Sequence, residues 1–472
     1  MNNESLSVDQ LRTHILLFIM AAIMVFLPIF KGGNYPGAMS LFTFSIGVVF
    51  LLSICELSYQ RDKYWLVVWA VFSGAVLLHA FCYPLFFENE RFFIGGLSDE
   101  VGAELNSRQL SKIRMLEVWS FFTAMWLFAW RVSLFKLPQI RVLLLVLLVT
   151  TLFQALYGVI HFVSGASTVL GLWNKEFYLN DATGTFVNRN HFSGMLAISS
   201  PVVLIGLLMK KPLILSSFSQ TSRIVLSLLY LILLMLALIS SHSRMGMIAA
   251  ILGLTVCYFG WRKVGSDLAY RSNKLILICV ASFLILFSIW FGVGDILQRY
   301  TDLANGNSRF DVWKSMTVKV PFNVWLFGAG PGSFEDVFQI IKPSDFSVRF
   351  IYAHNDYLEF IFEFGLLLSF FIFLTGVLWV RQFRLKGDRA LKAGVYGSFA
   401  AISLHSLVDF NLQVPASALF FWFAVGLFSN SAIVEEISAL SGASNNQFIK
   451  AKRYKSRFPK TKREWLDFLK SD

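Results

Sequence analysis

A chain that repeats runs of about twenty apolar residues, each closed by a short polar loop, has few folds open to it. Twelve such runs can be drawn here, at residues 13–31, 36–56, 64–84, 115–134, 141–162, 190–209, 223–241, 245–262, 274–293, 353–380, 392–409 and 415–434. The hydrocarbon of a bilayer gives unpaired backbone groups no water to bond, so a spanning segment must be a helix or part of a closed barrel. These runs are continuous and do not alternate, which argues against barrel strands. The chain is 56% hydrophobic with a mean hydropathy of +0.62, as a bundle of membrane helices requires. The fold class expected is therefore all-α: a polytopic membrane bundle of about twelve transmembrane helices. The first run lacks a small-residue cleavage site and is followed by further spans, so it reads as a retained helix and not as a removed signal peptide.

The net charge of +12 sits in short loops and in the tail, which marks topology and not a nucleic-acid footprint. Arg61 and Lys63, Arg131 and Lys136, Lys210 and Lys211, Arg262 and Lys263, and Arg381 to Lys392 fall on one face if the span count is even and both termini are cytoplasmic. The cysteines Cys55, Cys82, Cys257 and Cys279 fall inside the expected spans and read as core residues, not as a metal site or disulfide framework. The expected organisation is N-terminal helices over 1–140, a core over 141–436 and a basic cytoplasmic tail over 437–472 near anionic lipid. Within the core, the outward loop 294–352 carries an amphipathic piece around Phe310–Val318 and is long enough to form a periplasmic lid. No internal repeat is visible, which weakens a transporter reading.

Against this background the polar clusters stand out, and threading places all of them at the outward face. Ionisable groups at a membrane boundary are costly and point to function by default. Arg189, in Asn188-Arg189-Asn190-His191, and Arg244, in His242-Ser243-Arg244, open adjacent helices on the side where positive charge is otherwise scarce. Snorkelling to the interface is the plain reading of either alone. Together they read as a diphosphate clamp, since a guanidinium stays charged and grips phosphate with two parallel bonds. Arg309 is a third candidate. His354 opens a long helix carrying Asn355, Asp356, Glu359 and Glu363; capping explains the acids, but a neutral imidazole at such a boundary can also take a proton. Glu359 or Asp356 is expected to orient it.

Gly328-Ala329-Gly330-Pro331-Gly332 lacks the Gly-Lys-Ser/Thr of a Walker loop and the spacing of a dinucleotide fingerprint. It reads as a tight turn, or as a bend bringing the N–H groups around Gly330 and Gly332 close to a ligand. His405 and Asp409, one turn apart, are expected to pair, either to pin a helix end or to serve the chemistry. Gln154, Tyr157 and His161 share one helix face and read as interhelical hydrogen-bonding residues.

These motifs, in order from about residue 140 to 430, resemble the O-antigen ligase and polymerase superfamily of bacterial polysaccharide assembly. The resemblance rests on Phe186–Phe192, Ser241–Arg244, Arg309 with Trp313, Gly328–Phe334, His354–Glu359 with Glu363-Phe364-Gly365, and His405 with Asp409–Pro415. It implies an inner-membrane enzyme whose periplasmic site transfers a glycan from undecaprenyl diphosphate to an acceptor hydroxyl, with no cofactor and no metal. His354 would be the catalytic histidine, and Arg189, Arg244 and, less securely, Arg309 would bind diphosphate. Asn190, His191, His242, Asn355, Glu359, Gly330, Gly332, His405 and Asp409 would support them. The partners implied are the lipid-linked donor, a glycan or lipid A core acceptor, membrane lipid and polysaccharide-assembly proteins, with no nucleic acid. Asn188–His191 and Asp409–Pro415 look more like members found with capsule and exopolysaccharide machinery, which tilts the expectation towards a polymerase over a ligase. A protein-glycosylating transferase ranks lower, for lack of a large C-terminal soluble domain. A flippase for lipid-linked sugar is the rival class, but it predicts charge along a path through the membrane.

Overall fold

The computed structural model describes residues 7–35, 37–87, 112–209, 211–262, 309–342, 349–383 and 388–431. Eleven of the twelve expected spans coincide with helices there: α1 (Val8–Ile29), α2 (Ala38–Ser53), α3 (Tyr59–Phe87), α4 (Lys112–Leu134), α5 (Leu137–Ser164), α6 (Arg189–Leu208), α7 (Gln220–Ser240), α8 (Arg244–Arg262), α12 (Asp356–Phe383), α13 (Arg389–His405) and α14 (Pro415–Ser429). The expected span 274–293, residues 294–308 of the lid and the tail 437–472 lie outside the described residues. Eight of these helices are long and apolar enough to cross a membrane by their own composition. The chain is an all-α, multi-pass membrane protein.

Helix α6 lies at the centre, with 94% of its spanning window buried inside the protein. Its Gly194, Ala197, Ser199, Ser200 and Gly206 leave room for neighbours, the device by which membrane helices approach without a hydrophobic drive. Helix α13 packs against both α6 and α8. Gly397 faces Gly253 so closely that a Cβ on Gly253 would stand 2.8 Å from the Gly397 carbonyl oxygen. Ser398 Oγ locks the contact by donating to the Ile198 carbonyl at 2.5 Å. Pro201 within α6 has no N–H for the Ala197 carbonyl, and Ser200 Oγ donates to that oxygen at 3.4 Å instead.

Between α8 and α12, residues 309–341 form three short helices, α9 (Arg309–Lys319), α10 (Phe322–Phe327) and α11 (Phe334–Ile341). Val312, Met316, Val324, Phe334 and Phe338 make a small core of their own, closed by Phe350 and by Phe362 of α12. The expected amphipathic piece is α9. The loop between α5 and α6 carries a two-stranded hairpin, β1 (Thr168–Val169) paired antiparallel with β2 (Trp173–Asn174).

Side-chain bonds fix which helix ends share a face. At one end Arg12 of α1 reaches Glu56 after α2 (3.4 Å), and Arg131 of α4 reaches the same carboxylate (2.6 Å). Arg223 of α7 donates to the last turn of α6, and Asn430 after α14 to the end of α4. At the other end lie the start of α6, the α7–α8 turn, the lid and the α13–α14 turn, which hold every polar cluster picked out above.

Candidate functional site

The centre of this end is Asp409, fully buried in the turn between α13 and α14. His354 Nδ1 is 3.3 Å from Asp409 Oδ1, His191 Nε2 is 3.8 Å from the same oxygen, and a guanidinium nitrogen of Arg309 is 3.5 Å from Oδ2. Arg309 also donates to the Val408 carbonyl. Burial alone would raise the Asp409 pKa, but the His191 and His354 imidazoles and the Arg309 charge hold it well below the usual carboxylate range. Burial pushes the His354 pKa below the ordinary imidazole value, while the bond to Asp409 pulls the other way. An ionised carboxylate only accepts hydrogen bonds, so Nδ1 of His354 must carry the proton and Nε2 keeps its lone pair. Phe410 holds both rings, with T-shaped contacts of 4.5 Å to His191 and 4.8 Å to His354.

The backbone at His354 is left-handed, φ 53°, a conformation unfavourable for a residue with a Cβ. Three contacts hold the segment there. Trp313 Nε1 of the lid donates to the Ala353 carbonyl at 2.7 Å, the Ala353 N–H donates to Glu359 at 2.6 Å, and Asn355 Oδ1 caps α12 by accepting from the Leu358 N–H.

Glu359 and Asp356 thus do not orient His354. Asp356 accepts from Ser406 Oγ (2.6 Å) and from the Leu412 N–H (3.2 Å), and Glu363 from the Phe334 N–H (3.2 Å). Together the three acids of α12 staple its outer end to the lid, to the loop before it and to the α13–α14 turn. His405 likewise does not pair with Asp409. Helix α13 ends at His405 and the chain turns at 406–408, so Asp409 does not continue its face. Both ring nitrogens of His405 are buried without a protein hydrogen-bond partner.

The glycine bend has a structural explanation. Gly365 (φ 74°) breaks the helical path of α12, which releases the carbonyls of Phe362 and Glu363 from their own helix. The N–H groups of Ala329 and Gly330 donate to those carbonyls at 2.8 and 2.9 Å. A Cβ on Gly328 would come within 2.5 Å of the Glu363 carbonyl oxygen, so only glycine allows the approach. The N–H of Gly330 is therefore spent on α12 and does not face a ligand, while Gly332 lies against Arg114 and Val118.

A second polar centre is Asp181, in the loop before α6. Arg189 donates to Asp181 Oδ2 at 2.8 Å, and His242 Nδ1 lies 2.7 Å from Oδ1. Ser243 Oγ donates to Asn190 Oδ1 at 2.8 Å, which ties the start of α6 to the α7–α8 turn and sets Arg189 and Arg244 one residue either side of that bond. The Arg189 guanidinium lies over the Tyr178 ring at 5.3 Å. Tyr178 also senses the charges of Asp409 and Arg309, so it stands between the two centres; burial raises its pKa, and the Arg189 charge opposes that rise. Neither Asp181 nor Tyr178 stands out in the sequence. The signal was there in Asp181, an acid eight residues before an arginine in a loop that otherwise carries little charge.

Arg189 and Arg244 are each the first residue of a helix, and Arg309 is the first described residue of α9. The N-terminal end of a helix is already positive, so a cation there is unfavourable unless an anion is near. Among the described residues no group of His, Cys, Asp and Glu is arranged to hold a metal ion.

Fold and site together define a multi-pass membrane protein with a cationic, histidine-bearing site at one end of its bundle. The family model for O-antigen ligase matches residues 229–373, from α7 through Arg244, Arg309, the glycine bend and His354 to the middle of α12. Over these residues the chain is similar to O-antigen ligases, a family whose activity is of the glycosyltransferase type. No curated protein matches it.

Proposed function

We propose that the protein transfers a glycan from undecaprenyl diphosphate to a sugar hydroxyl, inverting the anomeric carbon in one displacement, at the periplasmic face of the inner membrane. The observation that carries this reading is His354 bonded through Nδ1 to a buried carboxylate, with two arginine-headed helix N-termini at the same end of the bundle. The acceptor oxygen attacks the anomeric carbon as the bond to the diphosphate oxygen breaks. The hydroxyl proton passes to His354 Nε2, and Asp409 stabilises the imidazolium that forms. The bond electrons leave with the diphosphate. Its charge is met by Arg189 and Arg244, each aided by a helix N-terminus, so no metal is needed to hold it. Arg309, bonded to Asp409, serves that carboxylate and is the weaker phosphate ligand. Asp181 holds Arg189 in place until the donor arrives.

The basic ends of α4, α8 and α12 gather at the opposite face, which supports placing that face in the cytoplasm. The acceptor is a growing chain's terminal sugar for a polymerase, or a lipid A core for a ligase. The decisive experiment supplies purified protein with undecaprenyl-diphosphate-linked repeat units, with and without core acceptor. Release of free undecaprenyl diphosphate with lengthening chains supports polymerisation, and release only with core supports ligation. Absence of release in both would remove the transferase reading.

A further inference from the structure

The hairpin between α5 and α6 is built at some cost and plays no part in the chemistry just described. Leu170 (φ 52°) and Tyr178 (φ 57°) both take left-handed backbone. Two residues of the α5 face hold it: Tyr157 Oη accepts from the Leu170 N–H at 2.7 Å, and His161 Nε2 donates to the Thr168 carbonyl at 3.1 Å. Yet beside the polar Asn174 and Glu176 it presents three large apolar side chains. Leu172 is 64% exposed, Phe177 60% and Leu179 60%. At a water-facing loop tip such a cluster is unfavourable, and side chains of this size gain most when they leave water. Val149, Leu156, Ile160 and Val163 form an exposed apolar stripe on α5, the helix whose Tyr157 and His161 hold the hairpin. The hairpin leads straight into the anion site: Lys175 Nζ donates to the Asp181 carbonyl at 2.6 Å, and Tyr178 lies under Arg189.

Resting on the donor assigned above, we infer that residues 170–179 form the lateral port for the donor, an apolar rim at the bilayer surface that receives the polyprenyl chain while Lys175 and Arg189 draw its diphosphate inward. Charge and apolarity are ordered as that molecule is ordered. The apolar stripe lies on the helix that holds the rim, Lys175 stands within the rim, and Arg189 opens the helix that follows it. Tyr157 and His161 are positioning residues for the rim.

The test compares two donors carrying the same glycan, one on undecaprenyl diphosphate and one on farnesyl diphosphate, with wild type and the double variant Leu172→Asn, Phe177→Asn. We expect KM for the undecaprenyl donor to rise about tenfold or more, as lost apolar contact of this size implies, with kcat unchanged. KM for the farnesyl donor should change far less, and Phe177→Leu, which keeps an apolar side chain, should raise the undecaprenyl KM far less than Phe177→Asn does. Equal effects on both donors, or none on either, would overturn the port and leave the transferase reading intact. A photoreactive undecaprenyl diphosphate without glycan gives a readout independent of turnover. Labelling within 170–179 that is lost in the double variant supports the port, and labelling only elsewhere overturns it. A wild type that transfers from neither donor, yet labels at the hairpin, would overturn the reaction and keep the port.

Discussion

Both ends of the bundle carry arginines and carboxylates, but the two tie their cations to different partners. At the end away from the site, cations and amides meet helix C-termini. Arg223 donates to the Leu207 carbonyl at 3.0 Å, Lys392 to the Phe383 carbonyl, and Asn430 to the Val132 and Phe135 carbonyls at 2.9 and 2.8 Å. Arg131 lies in the last turn of α4 and pairs with Glu56. The carbonyl contacts satisfy orphan groups at helix ends, and the cations near those ends complement the dipole, worth roughly 0.3–1 kcal/mol apiece. At the site end Arg189 pairs with Asp181 at 2.8 Å and Arg309 with the buried Asp409 at 3.5 Å, beside His242 and His354. One end ties its cations to helix carbonyls and to Glu56; the other gathers them with carboxylates and imidazoles, the groups a proton-transfer and anion-binding site uses. Substitutions at the two ends should therefore fall on different quantities.

The largest effect should come from His354. His354→Ala should lower transfer by roughly 10²–10⁴-fold while donor binding persists, because the arginines still hold the diphosphate. His354→Gln should not rescue it, since an amide takes no proton. Burial sets the imidazole below its ordinary value of about 6.5, so the rate should stay full at neutral pH and fall only as pH drops through that lowered value. Asp409→Asn sharpens the point. It removes the bond that raises the His354 pKa and selects its tautomer, so kcat should fall and the acid limb should move to still lower pH. An unchanged limb in that variant would mean that His354 is not the titrating base.

Next come the arginines. Arg189→Lys and Arg244→Lys keep the charge but lose the planar fork, and each should lower kcat/KM by roughly 10²–10³-fold with normal membrane insertion. Wild-type rates from both, measured on purified protein, would make these residues interfacial and erase the contrast between the two ends.

Much of this was legible in the chain because membrane folding is written in hydropathy. The run expected at 190–209 is a helix at Arg189–Leu208, and the run at 353–380 is a helix at Asp356–Phe383. The expected end at 409 overran by four residues, because Leu407 and Val408 stay apolar while the chain is already turning. The polar clusters could be found for the same reason: a polar residue is conspicuous in an apolar chain. Their pairings could not. Spacing along a helix suggests neighbours three or four residues apart, hence Asp409 with His405 and Glu359 with the His354 ring. The bonds that matter join His354 to Asp409 and Asp181 to His242, across 55 and 61 residues. Those distances are set by how α6, α12 and α13 pack, which no local pattern records. The glycine bend misled in the same way, because the kink that takes up its N–H groups lies in another helix.

The smallest effect on catalysis should come from the opposite end, where it is the most informative control. Glu56 accepts from Arg131, whose side chain is almost fully buried, and lies 3.4 Å from Arg12. Glu56→Gln keeps the shape and a hydrogen-bonding oxygen but leaves two guanidinium groups without their shared counter-charge. Removing one partner of such a pair is destabilising, because the charge left behind has lost both water and partner. Part of Glu56 still reaches solvent, which softens the loss. We expect the melting temperature in detergent to fall by a few degrees, with kcat, KM and the pH profile of the surviving protein unchanged. The outcome that sinks the contrast is a fall in kcat at full thermal stability. It would mean that the charges at this end reach the chemistry at the other, and that the bundle does not divide its two poles between holding itself together and holding substrate.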